Sequence, residues 1–324
     1  MKKRVILNLV FLILFKCLSN GQGSAYCGPF TDKSPIVWNE EYNKTISGFE
    51  IVNPDGHCIT LTNCTNIIIQ NCKLGPSKNE GVYLVHCKNI TIQNCTMDSV
   101  DSGVVADSCT GIVVTNNDIR NVLGPLPRGQ MVQFGRVYGA GNRISYNAGE
   151  NIEGQSHPED EISLYMSNGT AENPIQVIGN RIRGGGPSTS GGGIMTGDKG
   201  GSYILVQDNI LVDPGQYGIT IASGNHITIQ NNKIYGRQQP FSNVGLSIWN
   251  QYPTDCSSNT IRDNEVNFTN KNGKLNCFWN KGNCGEVTGW ETNYYNPDLQ
   301  SDILPVVLTG KCKEQKDLKT KNKN

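Results

Sequence analysis

Ionisable and amide side chains crowd into one irregular stretch of the chain, residues 149–161. The stretch contains His157 and the adjacent acids Glu159 and Asp160, immediately before an apolar segment with the pattern of a β-strand. Carboxyl and imidazole groups are the usual general acids and bases of enzymes. We therefore treat this stretch as the first candidate for a functional site, although each side chain could also be a solvated loop residue.

Further polar residues lie just before, within or just after the strand-like segment that precedes this stretch. Arg128 and Gln130 precede one strand-like segment, and Gln133, Arg136 and Tyr138 lie within or after it. Because neighbouring turns of a stacked structure lie about 4.8 Å apart, residues at equal positions become neighbours.

A glycine-rich run at 184–193 precedes the next strand-like segment, which is followed by Lys199. The run lacks the Gly-Lys-Ser/Thr ending of a phosphate-binding loop. We expect it to form a tight turn that lets a bulky chain approach the backbone. Gln216 precedes the segment after that.

One reaction that these groups could support is β-elimination on an acidic polysaccharide. A uronate carboxylate must be neutralised by arginine or bound Ca²⁺, while histidine, tyrosine or lysine removes the C5 proton and protonates the leaving oxygen. Return of the proton from the other face would give a C5-epimerase. The predicted catalytic residues are His157, Arg128, Tyr138 and Lys199. The predicted substrate-binding residues are Gln130, Gln133, Arg136, Glu159, Asp160 and Gln216.

Two other functions remain open. Glycoside hydrolysis would use two carboxylates from among Asp101, Glu153, Glu159 and Asp160, at a separation that the sequence does not fix. A non-catalytic carbohydrate-binding or surface solenoid would need only an aromatic and polar platform, and aromatic residues concentrate near the C-terminal end. The clustered ionisable groups favour an enzyme over a binder, and we place a lyase or epimerase ahead of a hydrolase.

The elements that must position these groups repeat along the chain. The segment Ile67–Leu74 recurs at Ile90–Met97, Ile112–Ile119 and Ile227–Ile234, each time with alternating apolar residues. Alternation with a period of two indicates β-strands. A second short strand-like segment lies upstream of each copy. The position that ends each repeat is marked by Cys72, Cys95, Asn117, Asn142, Asn180, Asn209, Asn232 and Asn264.

The spacing of these markers indicates a solenoid. The shortest step is about 22 residues, and the longest, from Asn142 to Asn180, is 38. Two or three short strands per turn give stacked turns that share one core. The marker asparagines are expected at the bend after the strand, where they could form an amide ladder. The long step predicts an inserted loop that carries the candidate site.

The recurrent Ile-x-Ile-x-Asn-Asn-x-Ile turn resembles the right-handed parallel β-helix proteins of the pectin-lyase-like superfamily, over roughly Asp55 to Phe268. The resemblance implies an all-β, single-domain, right-handed parallel β-helix of about eight coils. It determines little about activity, because this fold hosts lyases, hydrolases, epimerases and non-catalytic binders. Enzymes of the superfamily commonly carry their activity in the middle of the solenoid, which agrees with the position of the long step.

The two ends of the chain complete the predicted organisation. Residues 1–21 have the basic start, short apolar run and small residues of a secretory signal, so we expect a secreted protein, extracellular or periplasmic. That run is too short for a membrane span. Residues 22–54 and 269–310 are predicted to cap a β-helix at 55–268, and residues 311–324 to form a disordered basic tail.

Composition and cysteine spacing limit the partners. Lysine plus arginine and aspartate plus glutamate each number 28, so the formal net charge is +0 and nothing indicates nucleic-acid binding. We expect a monomer that binds a polysaccharide, with no certain cofactor; Ca²⁺ could bind at a single site only. Cysteines that follow the repeat are expected inside the solenoid rather than on a metal. The disulfide candidates are Cys27, Cys256, Cys277, Cys284 and Cys312.

Overall fold

The computed structural model describes residues 26–310. The predicted signal at 1–21 and the predicted tail at 311–324 therefore lie outside the described residues. Within 26–310 the chain is built from short parallel strands, and its helical elements are two 3-10 turns, Trp290–Thr292 and Ser301–Ile303. The all-β prediction is confirmed, and the strands stack into a parallel β-helix.

Each turn of the β-helix supplies strands to three ladders that run along its axis. The upstream ladder contains Ile36–Asn39, Ile59–Thr62, Val82–Val85, Val104–Asp107, Val132–Gly135, Ile162–Asn168, the first part of Ile194–Gln207, Tyr217–Ile221, Val244–Ile248 and Phe278–Asn280. The middle ladder contains Tyr42–Ser47, Thr65–Gln70, Lys88–Gln93, Thr110–Thr115, Arg143–Ser145, Ile175–Ile178, the rest of Ile194–Gln207, Gly224–Gln230, Cys256–Ser257, Asn259–Arg262 and Val287–Thr288.

The downstream ladder is a separate 11-stranded sheet. It contains Thr31–Asp32, Phe49–Asn53, Lys73–Ser77, Thr96–Asp98, Asp118–Arg120, Ala148–Glu150, Arg181–Arg183, Ile210–Val212, Lys233–Gly236, Glu265–Phe268 and Tyr294–Tyr295. The ladders thus continue into both segments that the sequence predicts as caps. Ile36–Asn39, for example, pairs in parallel register with Ile59–Thr62.

The core follows directly from the alternation in the sequence. Ile67, Ile90 and Ile112 pair with one another across successive turns, and all three are fully buried. Burying one such side chain contributes roughly 1.5–3 kcal/mol, but a single turn has no partner surface for it. Stability therefore comes from stacking, which leaves the outward positions free to differ from turn to turn.

An amide ladder lies along the bend between the middle and downstream ladders. Asn117 Nδ2 donates to Asn147 Oδ1 at 3.0 Å, and each later amide repeats this bond to the next turn. The later members are Asn180, Asn209, Asn232, Asn264 and Asn293. The predicted ladder is confirmed, and it satisfies buried backbone groups as well, since Asn117 Nδ2 also donates to the Ile92 carbonyl.

The choice of Asn142 as a marker is wrong. Ile144 pairs with Val114, so Asn147 is the residue that aligns with Asn117. Asn142 lies before the strand and accepts the backbone N–H of Ile112. The left-handed residue of this bend is the one before the ladder asparagine, as at Asn116 with φ of 55°.

This correction divides the insertion between two turns. The separation is 30 residues from Asn117 to Asn147 and 33 from Asn147 to Asn180, against 22 from Cys95 to Asn117. Two consecutive turns therefore carry extended loops, at 121–131 and 151–161. Both loops lead into the upstream ladder.

The last described residues fold back along the side of the β-helix. Leu304 and Leu308 pack against Ala148 and Val212. Arg183 donates to the carbonyl oxygens of residues 304, 305 and 306, at 3.2, 2.8 and 3.2 Å. Residues 301–310 therefore cover the face of the downstream ladder and leave the upstream ladder open.

The cysteines that follow the repeat lie inside the solenoid, as their spacing predicts. The periodic residues Cys64, Cys72, Cys87, Cys95 and Cys109 are buried free thiols. Cys256 and Cys284 form a disulfide bond with a Cα–Cα distance of 4.5 Å. Cys27 is also disulfide-bonded. The choice of Cys277 as a disulfide candidate is wrong, because Cys277 is a buried free thiol. Cys312 lies outside the described residues.

Candidate active site

A cavity of about 500 Å³ opens over the upstream ladder where the two extended loops meet. Four acidic residues line it, and we call it the carboxylate cavity. These residues are Asp107, Glu159, Asp160 and Asp198. Its floor consists of the outward side chains of successive strands, among them Gln133, Ser163 and Met195, which are register partners.

Asp160 is almost fully buried in the wall of this cavity. Its side chain is 7% exposed, and it accepts hydrogen bonds from the Tyr217 hydroxyl and from Gly192 N–H, the latter at 3.2 Å. Burial raises the pKa of Asp160 to about 7, against the opposing effect of the Tyr217 hydrogen bond. The negative charges of Glu159 and Asp198 raise this pKa further. Asp160 is thus a carboxylic acid that can carry a proton near neutral pH.

Glu159 is held by two serine hydroxyls of the glycine-rich run. Ser188 and Ser190 each donate to one of its carboxylate oxygens, at 2.5 Å. The run can approach so closely because a Cβ at Gly191 would lie only 2.3 Å from the Glu159 backbone. The glycines therefore allow the neighbouring turn of the protein itself to approach. This contact fixes the position of the Glu159 carboxylate.

Asp198 provides a third carboxyl group, from the turn above. It follows Gly197, which has φ of 65°, and it is half-buried where the register of the long strand shifts. Tyr252 donates its hydroxyl to Asp198 Oδ1 at 2.6 Å. Burial and this bond raise the pKa of Tyr252, so the tyrosine remains a donor.

The arginines of the carboxylate cavity are both paired with acids. Arg128 Nε lies 2.6 Å from Glu80, whose carboxylate is only 4% exposed. Arg136 pairs with Asp107, and its Nε donates to Ser108 at 3.3 Å. Each guanidinium therefore already has a protein carboxylate as its counter-charge.

A second charged cluster lies below Arg128 and supports it. His57 Nδ1 lies 2.6 Å from Glu80 Oε2, and the His57 ring stacks on Tyr83. The hydrogen bond of His57 and the charges of His57 and Arg128 lower the pKa of Glu80 against the effect of its burial. Burial and the charge of Glu80 raise the pKa of Asp101 to about 6.

Several of the predicted site residues line the carboxylate cavity together. They are Arg128, Gln130, Gln133, Arg136, Glu159 and Asp160. Gln130 is almost fully buried and accepts from the Ser102 hydroxyl, so it also holds the loop in place. Gln216 lines a neighbouring cavity instead.

Three residues predicted to be catalytic lie away from the lining of that cavity. His157 is exposed on the loop, where its backbone N–H donates to the Val122 carbonyl. Tyr138 is 43% exposed and forms bridges to Thr110 of the middle ladder and to Asn168, the last residue of Ile162–Asn168. Lys199 is exposed, with its ammonium group 5.6 Å from the centre of the Tyr165 ring.

Asp198, Tyr217 and Tyr252 are not among the site residues predicted from the sequence. Asp198 is next to the predicted Lys199, but nothing in the local pattern distinguishes it. Tyr217 and Asp160 are 57 residues apart, and Tyr252 and Asp198 are 54 apart. Register across several turns is what joins them, and a repeat with insertions of unequal length hides that register.

A second cavity, of about 450 Å³, adjoins the first along the same ladder. Trp249 and Trp279 line it, and we call it the tryptophan cavity. Their rings meet edge to face with centres 5.6 Å apart, and each residue is 40% exposed. Ser190, Met195 and Gln251 line both cavities, so the two form one continuous groove.

Two negative findings apply to the described part of the chain. Residues 26–310 contain no group of three or more histidine, cysteine or acidic side chains arranged to hold a metal ion. No helix in this range is long and apolar enough to cross a membrane.

Comparison with known proteins gives the following similarities. Residues 34–194 match the sequence model of the family described as a right-handed beta helix region. The catalytic domain of a GH87 alpha-1,3-glucanase, solved in complex with nigerose, is similar at 12% identity and a TM-score of 0.49, over 84% of this chain and 62% of that one. This chain therefore spans less than two thirds of that domain.

The catalytic unit of a thermostable GH87 alpha-1,3-glucanase from Streptomyces thermodiastaticus strain HF3-3 is similar at 12% identity and a TM-score of 0.39. That similarity covers 86% of this chain and 69% of the other. No curated protein matches the chain. The family match supports the right-handed sense of the coil.

Proposed function

We propose that this chain, a right-handed parallel β-helix protein of the pectin-lyase-like superfamily, hydrolyses glycosidic bonds of a polysaccharide in the carboxylate cavity. One observation carries the proposal. Asp160, with its pKa raised to about 7, lies in a groove beside two further carboxyl groups. A protonated acid and an ionised carboxylate are the pair that glycoside hydrolysis requires.

Asp160 is the general acid in this proposal. It donates its proton to the glycosidic oxygen while the bond from that oxygen to the anomeric carbon breaks. Asp198 is the general base, because it is half-buried at the cavity wall and in reach of water. Asp198 takes a proton from the water whose oxygen bonds to the anomeric carbon. Solvent then returns the proton to Asp160 and removes one from Asp198.

Glu159 and the two tyrosines support these steps. The Glu159 carboxylate places negative charge near the positive charge that develops on the sugar ring. Tyr217 holds the Asp160 side chain in one orientation, and Tyr252 does the same for Asp198. Positioning of this kind keeps both carboxyl groups in line with the bond that breaks.

We propose hydrolysis rather than the elimination or epimerisation that the sequence favoured. Both of those reactions need a cation to neutralise a uronate carboxylate. The two arginines of the cavity are already paired with Glu80 and Asp107. An acidic substrate would also meet the carboxylates of Glu159 and Asp198.

Export of the protein is part of the same proposal. The features of residues 1–21 support it, and so does the Cys256–Cys284 bond, because disulfides persist in oxidising compartments. Expression of the full chain with mass determination of the product would test this, since export predicts a mature protein that lacks the first 21 or so residues.

The function is tested by incubating the purified protein with neutral and acidic polysaccharides. We expect new reducing ends on a neutral polymer without the ultraviolet absorbance of an unsaturated product. Absorbance of that kind on an acidic polymer would support the lyase and contradict hydrolysis. Binding with neither product would favour a non-catalytic carbohydrate-binding protein.

A further inference from the structure

The tryptophan cavity contains no charged side chain. Its polar lining consists of amides and hydroxyls, from Thr189, Ser190, Gln216, Tyr217, Thr220, Asn243, Ser247, Gln251 and Asn276. Amides and hydroxyls both donate and accept hydrogen bonds, as the hydroxyl groups of a sugar require. A ligand with a formal charge would find no counter-charge in this cavity.

The two tryptophans give this cavity an apolar wall. Trp249 and Trp279 expose 40% of their surface although each lies against the other. Exposed indole rings in contact with polar groups are typical of binding surfaces rather than of core packing. The less polar faces of a sugar ring can pack on such a surface while its hydroxyls reach the amides.

A single column of outward residues links the two cavities. It follows the register of the upstream ladder from one turn to the next, through Tyr83, Val105, Gln133, Ser163, Met195, Thr220, Ser247 and Trp279. With turns about 4.8 Å apart, the column is on the order of 30 Å long. Small side chains such as Ser163, Thr220 and Ser247 keep the middle of this floor low, and an aromatic ring stands at each end.

We propose that the tryptophan cavity binds uncharged sugar units of the same chain that is cleaved in the carboxylate cavity. This inference rests on the proposed hydrolysis for the cleavage step only, and it names the substrate class as a neutral polysaccharide. The absence of charge in the tryptophan cavity and the four carboxyl groups next to it both disfavour uronates. The polysaccharide lies along the ladder, and the tryptophans hold it several units from the bond that breaks.

Binding and cleavage can be measured separately. Affinity electrophoresis of the full protein in gels that contain laminarin, galactomannan, soluble xylan or polygalacturonate measures binding alone. We expect retardation by at least one neutral polymer and none by polygalacturonate. Trp279→Ala and Trp249→Ala should each weaken that binding about tenfold, and Trp279→Phe should restore most of it.

The matched control is Tyr295→Ala. Tyr295 is 44% exposed on the downstream ladder, outside both cavities, so its loss should leave retardation unchanged. Thermal unfolding midpoints equal to that of the wild type establish that each variant is folded. On a polymer that is cleaved, the tryptophan variants should raise KM about tenfold and leave kcat unchanged.

The outcomes separate this inference from the proposed function. Retardation that depends on the tryptophans without any new reducing ends would retain the sugar site and contradict hydrolysis. Cleavage with an unchanged KM in folded tryptophan variants would overturn the sugar site and retain hydrolysis. Equal retardation by polygalacturonate, or no retardation by any of the gels, would also overturn the inference.

Discussion

The carboxylate cavity and the tryptophan cavity occupy neighbouring turns of one ladder, yet they differ in chemistry. The first is lined by four acidic side chains and by arginines that are already paired. The second has amides, hydroxyls and two tryptophans. Because the inward residues are nearly the same from turn to turn, the outward positions can change function without loss of the core. The comparison predicts that cleavage and binding can be impaired independently.

The largest effect should follow from replacing the proposed acid. Asp160→Asn keeps an acceptor for Tyr217 and Gly192 but has no proton to donate, so we expect a loss of about 10²–10⁴-fold in kcat, measured as release of reducing ends. Glu153→Gln is the control, because Glu153 belongs to the same loop, is 73% exposed and pairs with Arg237. Activity of Asp160→Asn within a few-fold of the control would exclude Asp160 as the acid.

Replacing the proposed base should have the next largest effect. Asp198→Asn should lower kcat by about 10²-fold, since the attacking water loses its proton acceptor. Tyr252→Phe removes the hydroxyl that orients Asp198 and should give a smaller loss, without a change in KM. If Asp198→Asn retained kcat while Glu159→Gln lost it, the base would be Glu159 instead.

The pH dependence should follow the proton on Asp160. Activity requires the protonated form, so kcat should decline as pH rises through about 7, the pKa of Asp160. Tyr295→Ala should keep the same profile. A profile that remains flat up to pH 9 would contradict the assignment of Asp160 as the acid.

Stability should respond to the same proton. The pKa of Asp160 is raised from 3.8 to about 7 on folding, so its contribution is complete below about pH 4 and is lost as pH rises to about 7. Above pH 7 the native state must bury the charge. Asp160→Asn should therefore have a higher unfolding midpoint than the wild type at pH 8, and a smaller advantage, or none, at pH 5. The opposite order would contradict the buried acid.

Arg128 should matter for stability more than for the chemical step. Arg128→Ala leaves the buried Glu80 with His57 as its remaining partner, and we expect a loss of about 2 kcal/mol in the free energy of unfolding. Arg237→Ala, at an exposed pair, should cost less than about 1 kcal/mol. Equal losses measured by urea denaturation would show that the buried Glu80 cluster contributes no more to stability than an exposed ion pair does.

The smallest effect should come from His157. Its side chain is exposed and does not line either cavity. His157→Ala should therefore keep kcat within about twofold of the wild type, since surface substitutions usually perturb little. A large loss of activity would restore the catalytic role that the sequence suggested for this residue.

The sequence predicted the coil but misplaced one of its turns. Ile67, Ile90 and Ile112 recur at nearly constant spacing, so their stacking could be foreseen from alternation alone. Either Asn142 or Asn147 could be the marker asparagine of this turn, and only the pairing of Ile144 with Val114 identifies it as Asn147. Insertions of unequal length conceal register, because a strand of three residues carries too little pattern to fix it.

The residues of the candidate site also divide into those that the sequence could predict and those that it could not. Glu159 and Asp160 could be selected because acids crowd before a strand. Asp198 and Tyr252 could not, since a hydrogen bond between residues 54 apart depends on how many turns lie between them. The sequence also could not show that Arg128 and Arg136 are paired, and that pairing is what turned the proposal from elimination to hydrolysis.

The sequence by itself determined the stacked coil, its buried isoleucines and asparagines, and the region where insertions interrupt the repeat. These features depend on the local period and on side-chain polarity, and both can be read directly from the sequence. The tertiary structure decided which acids share a cavity, which arginines are already paired, and that the two tryptophans stand at the end of the same floor as Asp160. Those relations depend on burial and on distances across turns, and they exist only when the turns are stacked.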